Sequence, residues 1–220
     1  MAWVAPNRCR RWLLAFVVAL MPGLAEAAVL IEAQAEDGPV RIVIGLQSER
    51  VLVERGGREP VLVDLAGGEV FIGRGEAAER IRLLYRPGYE EPPPFRLEQF
   101  GPGPVIAGHG SLYYVLFVDK DVCAEILVSQ WMRPFVDPAV RALGLLEQLE
   151  RSAPSGDADA CGQIPMATLA AAGWPLLVGK LEAPGLVTEM IRFDYLPPPD
   201  ELQLPASAVD VEGRAPETPG

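Results

Sequence analysis

The 220-residue chain has a single histidine, His109, set in Ala107-Gly108-His109-Gly110-Ser111. Base-assisted nucleophilic chemistry at neutral pH would therefore have to run through that imidazole and the neighbouring Ser111 hydroxyl. A hydrolase needs more than this pair. The segment is not a G-x-S-x-G elbow, no oxyanion donor is signalled, and a histidine between two glycines reads first as a turn residue. The chain is expected to be non-enzymatic, with a hydrolase using His109 as the lesser alternative. Asp119 and Asp121 flank Lys120, but two carboxylates on a short turn fall short of the six or more oxygens calcium prefers, and neither Cys123 nor Cys161 has zinc-ligand spacing. No metal site is predicted. Gly73-Arg74-Gly75 lacks the third glycine and the lysine of a phosphate loop, so it reads as a turn and no cofactor is expected. Arg74, Arg80, Arg82, Arg86 and Arg96 could grip a carboxylate or phosphate, yet Glu76, Glu79, Glu90 and Glu91 nearly cancel them, which predicts a charged sheet face.

The remaining chemistry is that of thiols, and it depends on compartment. Arg8, Arg10 and Arg11 precede an apolar run from Trp12 to Leu20, and Ala25-Glu26-Ala27 offers a small-x-small site for cleavage after Ala27. Even extended to Leu24, the run is shorter than the roughly 20 residues of a spanning helix. Cys9 lies ahead of it, whereas an acylated lipoprotein cysteine follows it. Residues 1–27 thus read as a general secretory signal, which predicts a periplasmic or secreted protein with no stable membrane span after cleavage. Removing them takes away three arginines and Glu26 and moves the formal charge from −11 to −13, which opposes binding to nucleic acid or anionic membrane. The 193 residues left suffice for one core. Cys123 and Cys161 remain as an even pair in an oxidising compartment, and a disulfide is expected.

The elements that must position these residues follow from periodicity. From Val29 to Phe100 apolar residues alternate with polar ones, broken by turn residues every eight to ten positions, as a meander of antiparallel strands requires. Gly56-Gly57 and Gly67-Gly68 supply the positive φ of tight turns between such strands. Gly88 to Pro94, with three consecutive prolines, is expected to be an exposed loop. Leu112 to Val118 and Val122 to Val128 are apolar at both parities, which predicts burial on both faces and a place at the centre of the sheet under a helical cover. That cover is read from Asp137 as N-cap, Pro138 at the first helical position, and the stripe Ala142, Leu145, Leu146 and Leu149. A shorter helix runs from about 165 to 172, and strands resume at 176–181 and 187–195. Pro197-Pro198-Pro199 opens an acidic tail with little capacity to fold. The reading is an α+β, mainly antiparallel β chain: signal 1–27, domain 28–196 and a Pro-rich acidic tail 197–220, partly disordered.

Val105-Ile106-Ala107-Gly108-His109, Tyr113-Tyr114-Val115 and Cys123-Ala124-Glu125-Ile126-Leu127-Val128-Ser129 together resemble a signature of a family of exported bacterial domains of unknown function. Gly173-Trp174-Pro175-Leu176 and Pro199-Asp200-Glu201-Leu202-Gln203-Leu204-Pro205 are similar to its later segments, so the resemblance spans most of residues 28–211. His109 stands where the family has an aromatic and Leu127 where it has tryptophan. The family is similar in outline to the lipoprotein carriers and receptors of the Gram-negative envelope (LolA/LolB-like). The resemblance implies a curved, half-open β-barrel covered by two short helices. In such a fold Tyr113, Tyr114, Phe117, Trp131, Met132 and Phe135 could line an apolar cavity between sheet and helix. Core packing is the first reading of these six, since large side chains at the centre of a sheet ordinarily fill space. Two functions follow by analogy. One is binding of an apolar ligand, lipid or acylated envelope component. The other is a protein–protein interaction or structural module of the envelope with a solid core.

Overall fold

A computed structural model describes residues 26–82, 95–151, 161, 166–180 and 183–211. Alternation in the first half of the chain becomes strands β1 (Ala28–Ala35), β2 (Gly38–Gly45), β3 (Arg50–Arg55), β4 (Val61–Asp64), β5 (Glu69–Ile72) and β6 (Glu79–Arg82), which pair in chain order. Gly57 and Gly68 hold φ near +73° and +66°, so the second glycine of each pair makes the turn conformation that other residues resist. A second meander follows: β7 (Phe95–Pro102), β8 (Leu112–Val118), β9 (Asp121–Ser129), β10 (Trp174–Lys180) and β11 (Ala183–Tyr195). β1 and β11 join the two along one antiparallel seam, from Ala28 opposite Tyr195 to Ala35 opposite Leu186. With β12 (Val209–Asp210) parallel to β6, the result is one twelve-stranded sheet, ordered β12-β6-β5-β4-β3-β2-β1-β11-β10-β9-β8-β7, whose edges β12 and β7 do not meet. The chain is mostly antiparallel sheet with one long helix, and the sheet is open.

Register turns alternation into two faces. On the inner face Val29, Ile44, Val51, Val63 and Val70 stand directly opposite one another across five strands. Helix α1 (Arg133–Arg151) lies over this row and buries Val136, Ala139, Ala142, Leu143 and Leu146 against it. Each large apolar side chain so covered contributes about 1.5–3 kcal/mol. On the outer face Leu30, Val43, Leu52, Leu62 and Phe71 make a parallel row, sealed by Leu202. Helix α2 (Met166–Leu169), continued by a 3-10 turn (Ala170–Ala172), sets Leu169 against Tyr114, Leu116, Ala124, Ile126 and Val128. The Cys123–Cys161 disulfide, with Cα atoms 5.0 Å apart, closes a loop that contains α1.

Three expectations change. α1 begins at Arg133, a turn before Asp137, and carries Pro138 inside it. Pro134 already fills the proline-tolerant first turn, and the earlier start places Met132 and Val136 on the buried stripe. β8 and β9 are not central: β9 stands third from one edge and β8 next to the edge strand, while β2 and β1 occupy the middle. Their two-sided burial is local. Leu169 covers one side, and the 103–111 segment folds back so that Gly103 lies close to Leu127 on the other. Residues 197–211, read as having little capacity to fold, are packed on the outer face. Leu202 is buried there, the backbone of Val209 and Val211 bonds to Ala78 and Arg80, and Arg50 donates to the Leu202 carbonyl at 3.1 Å. Leu202 and Leu204, closed off by Pro205 and preceded by Asp200 and Glu201, make too short an apolar pattern to announce this strap. The predicted loop 88–94, the 152–160 linker and residues 212–220 lie outside the described residues, as do 1–25.

Candidate functional site

β1 faces α1 with Val29, Ile31, Ala33 and Ala35, so its side chains shrink along the strand. Beside the two alanines, Val40, Ile42 and Leu143 do not close the gap, and a cleft of about 190 Å³ remains between helix and sheet. Trp174, Pro175, Leu186 and Thr188 supply its far wall, and Asp37 and Arg55 are its charged members. Native cores rarely leave such space unfilled. Arg55 also borders a second recess of about 120 Å³, lined by Val53, Val61, Ile72, Leu146 and Leu149. The two recesses therefore adjoin beneath the C-terminal half of α1. The walls are not wholly apolar: the Thr188 hydroxyl donates to the Pro175 carbonyl at 3.5 Å, and the buried Trp174 indole N–H has no protein acceptor.

The six aromatic and methionine positions singled out from sequence are not brought together. Met132 is fully buried under α1. Tyr114 packs beneath α2, its hydroxyl donating to Gln99 at 2.9 Å and accepting from Gln130 at 3.3 Å. Tyr113 donates to Glu125 at 2.6 Å and stacks on Phe100; that hydrogen bond, aided by burial and the carboxylate's charge, holds its phenol above the usual range. Phe117 carries the Arg96 guanidinium 4.6 Å above its ring. None of these four lines the cleft.

Trp131 and Phe135 form a different feature. With Phe193 of β11 and His109 they make a cluster whose ring centroids lie 5.1 to 6.2 Å apart, while Trp131 and Phe135 remain 48% and 41% exposed. His109 reaches it from a tight turn, pairing with Ile106 across Ala107 and Gly108, which both hold positive φ. Ser111 donates its hydroxyl to the Pro104 carbonyl at 2.6 Å. This patch lies at the N-terminal end of α1 and the cleft towards its C-terminal half. Trp131 and Phe135 were visible in the sequence, but Phe193 reaches them from β11, far along the chain. Ala33 and Ala35 had a signal in the taper of β1 that the aromatic residues overshadowed.

The remaining candidates are ordinary surface. Asp119 and Asp121 are exposed at the β8–β9 turn, with Asp119 at φ 53°. Arg74 pairs with Glu54, Arg80 with Asp210 at 2.6 Å, Arg82 with Glu69 at 3.2 Å and Arg96 with Glu98, so the arginines are distributed among separate carboxylates. Arg86 lies outside the described residues. Arg41, which sequence reading passed over, bridges Glu54 at 2.8 Å and Glu201 at 2.6 Å and donates to the Tyr195 hydroxyl at 2.8 Å. Burial opposes its charge, but the hydrogen bonds to the two carboxylates outweigh it and hold the guanidinium above its usual range. No protein-family model and no curated protein sequence matches this chain.

Proposed function

We propose that the protein is a non-enzymatic binder of an apolar ligand, a lipid or the acyl part of an envelope component, working in the periplasm or after secretion. In this reading the open sheet is a half-barrel of the lipoprotein-carrier kind, with α1 and α2 over its inner face. The observation that carries it is the cleft under α1, where Ala33 and Ala35 leave about 190 Å³ between largely apolar walls. That volume is below the roughly 300 Å³ at which drug-sized pockets begin. It suits one chain or ring, and the adjoining recess lengthens the path along Leu146 and Leu149. Native mass spectrometry of the protein from gently lysed cells, followed by extraction and lipid analysis, should find a stoichiometric apolar adduct. Ala35→Phe should remove that adduct while leaving the fold intact by circular dichroism. A clean apo mass, together with no uptake of a long-chain fatty acid added in excess, would overturn the reading.

The exposed aromatic cluster supports a second reading, an interaction module of the envelope. Trp131→Ser with Phe135→Ser should then abolish co-purification of a partner protein and leave fatty-acid uptake unchanged.

A further inference from the structure

Glu26 and Ala27 belong to the folded domain. The Glu26 carboxylate accepts hydrogen bonds from the backbone N–H groups of Gln47 at 2.6 Å and Ser48 at 2.5 Å, and the Ala27 carbonyl accepts from Leu46 at 3.2 Å. Three successive donors of the β2–β3 turn are thus satisfied by the two residues ahead of β1. The space here is tight: a Cβ on Gly45 would meet the Ser48 hydroxyl first, then the Glu26 carboxylate oxygen at 2.9 Å and Leu202 at 3.1 Å. The next residue, Ala28, is fully buried, paired on one side with Gly45 and on the other with Tyr195. A chain starting at Ala28 would place an ammonium group, with an ordinary pKa of about 7.7–8.0, inside the sheet and take from three turn donors the acceptors that hold the turn to β1.

From this we infer that the export leader is removed two residues earlier than the Ala25-Glu26-Ala27 pattern suggests, at the Ala25–Glu26 bond; the inference rests on the export reading. Gly23-Leu24-Ala25 meets the same small-x-small requirement. A signal peptidase hydrolyses that bond, water giving its hydroxyl to the Ala25 carbonyl carbon and a proton to the Glu26 nitrogen. The mature chain then begins with the residue that caps the β2–β3 turn.

N-terminal sequencing and intact mass of the full chain, expressed with its own leader and recovered after export, test this directly. A product starting at Glu26 is expected. A product starting at Ala28 would overturn the site and leave export standing, whereas an uncleaved chain starting at Met1 would overturn both. Ala27→Phe removes the small residue required for cutting after Ala27 and should leave the Glu26 start unchanged; a block in processing would place the cut after Ala27. Two mature chains released from a removable tag supply a measurement that does not involve export. The one starting at Ala28 should melt several degrees below the one starting at Glu26, and equal melting temperatures would remove the structural ground for the site.

Discussion

The Glu201 side chain is only 9% exposed, so its charge depends on Arg41 and on the Tyr195 hydroxyl, which donates to it at 3.0 Å. Removing the guanidinium leaves that carboxylate short of water and of a counter-charge, the situation in which a lost ion pair costs most. Arg41→Met is expected to lower stability by about 2–3 kcal/mol, read from urea unfolding. Changing Glu201 to Met as well should restore most of the loss, because both partners are then apolar. Arg74, by contrast, is 63% exposed where it meets Glu54, and a pair of that kind contributes on the order of 0–1 kcal/mol. Arg41, within β2, and Arg74, just beyond β5, look alike in the sequence as single arginines among apolar and small residues. Only the register, which places Arg41 opposite Glu54, and the return of residue 201 across β2 separate them.

At the scale of elements, the strap 197–211 is a structural part of the sheet. Leu202→Ser opens the outer row of Leu30, Val43, Leu52, Leu62 and Phe71 and should cost about 2–4 kcal/mol in the same unfolding experiment. The strap's far end has a pH response of its own. The hydrogen bond from Arg80 holds the Asp210 carboxyl below its usual range, against a smaller effect of burial. A carboxylate depressed in the folded state stabilises it above the unfolded pKa of about 3.9 and loses that contribution as pH falls through the folded value. The protection factors of Val209 and Val211, whose N–H groups bond to the Ala78 and Arg80 carbonyls, measured by hydrogen exchange against the intrinsic rate at each pH, should therefore fall below about pH 4 while β1 and β2 stay protected. The meander strands were legible because alternation runs through them and glycine pairs mark the β3–β4 and β4–β5 turns. The start of α1 was misplaced because Asp137-Pro138 imitates a cap so well, and the stripe that decides it, Met132 and Val136, begins before that cap. The strap was missed because Leu202 and Leu204 are too short a pattern to set a period.

For the whole molecule, the Cys123–Cys161 bridge pins the segment after α1 back to β9, so the covering helix is fastened at both ends. On the loop-entropy account a closure of 38 residues contributes roughly 3 to 4 kcal/mol. Cys123→Ala with Cys161→Ala should lower the urea midpoint accordingly, and a shift of less than about 1 kcal/mol would mean the bridge fastens little. The even thiol pair made the bridge legible. The sheet's overall order was not, because no local pattern tells β1 that its second neighbour is β11. The cleft walls straddle that pairing, with Ala33 and Ala35 on β1 and Leu186 and Thr188 on β11, and sequence reasoning could therefore not gather them.

The seam also sets a timetable. Synthesis delivers β1 to β6 first, and every pairing among them joins sequence neighbours, so this half can assemble early. β11 reaches the seam more than 140 residues after β1, and Leu202 arrives later still. Until then the free edge of β1 and the bare row from Leu30 to Phe71 are both available for wrong partners. A chain halted before residue 183 therefore has α1 to cover β1 to β5 but lacks the strand whose backbone pairs the two halves of the sheet.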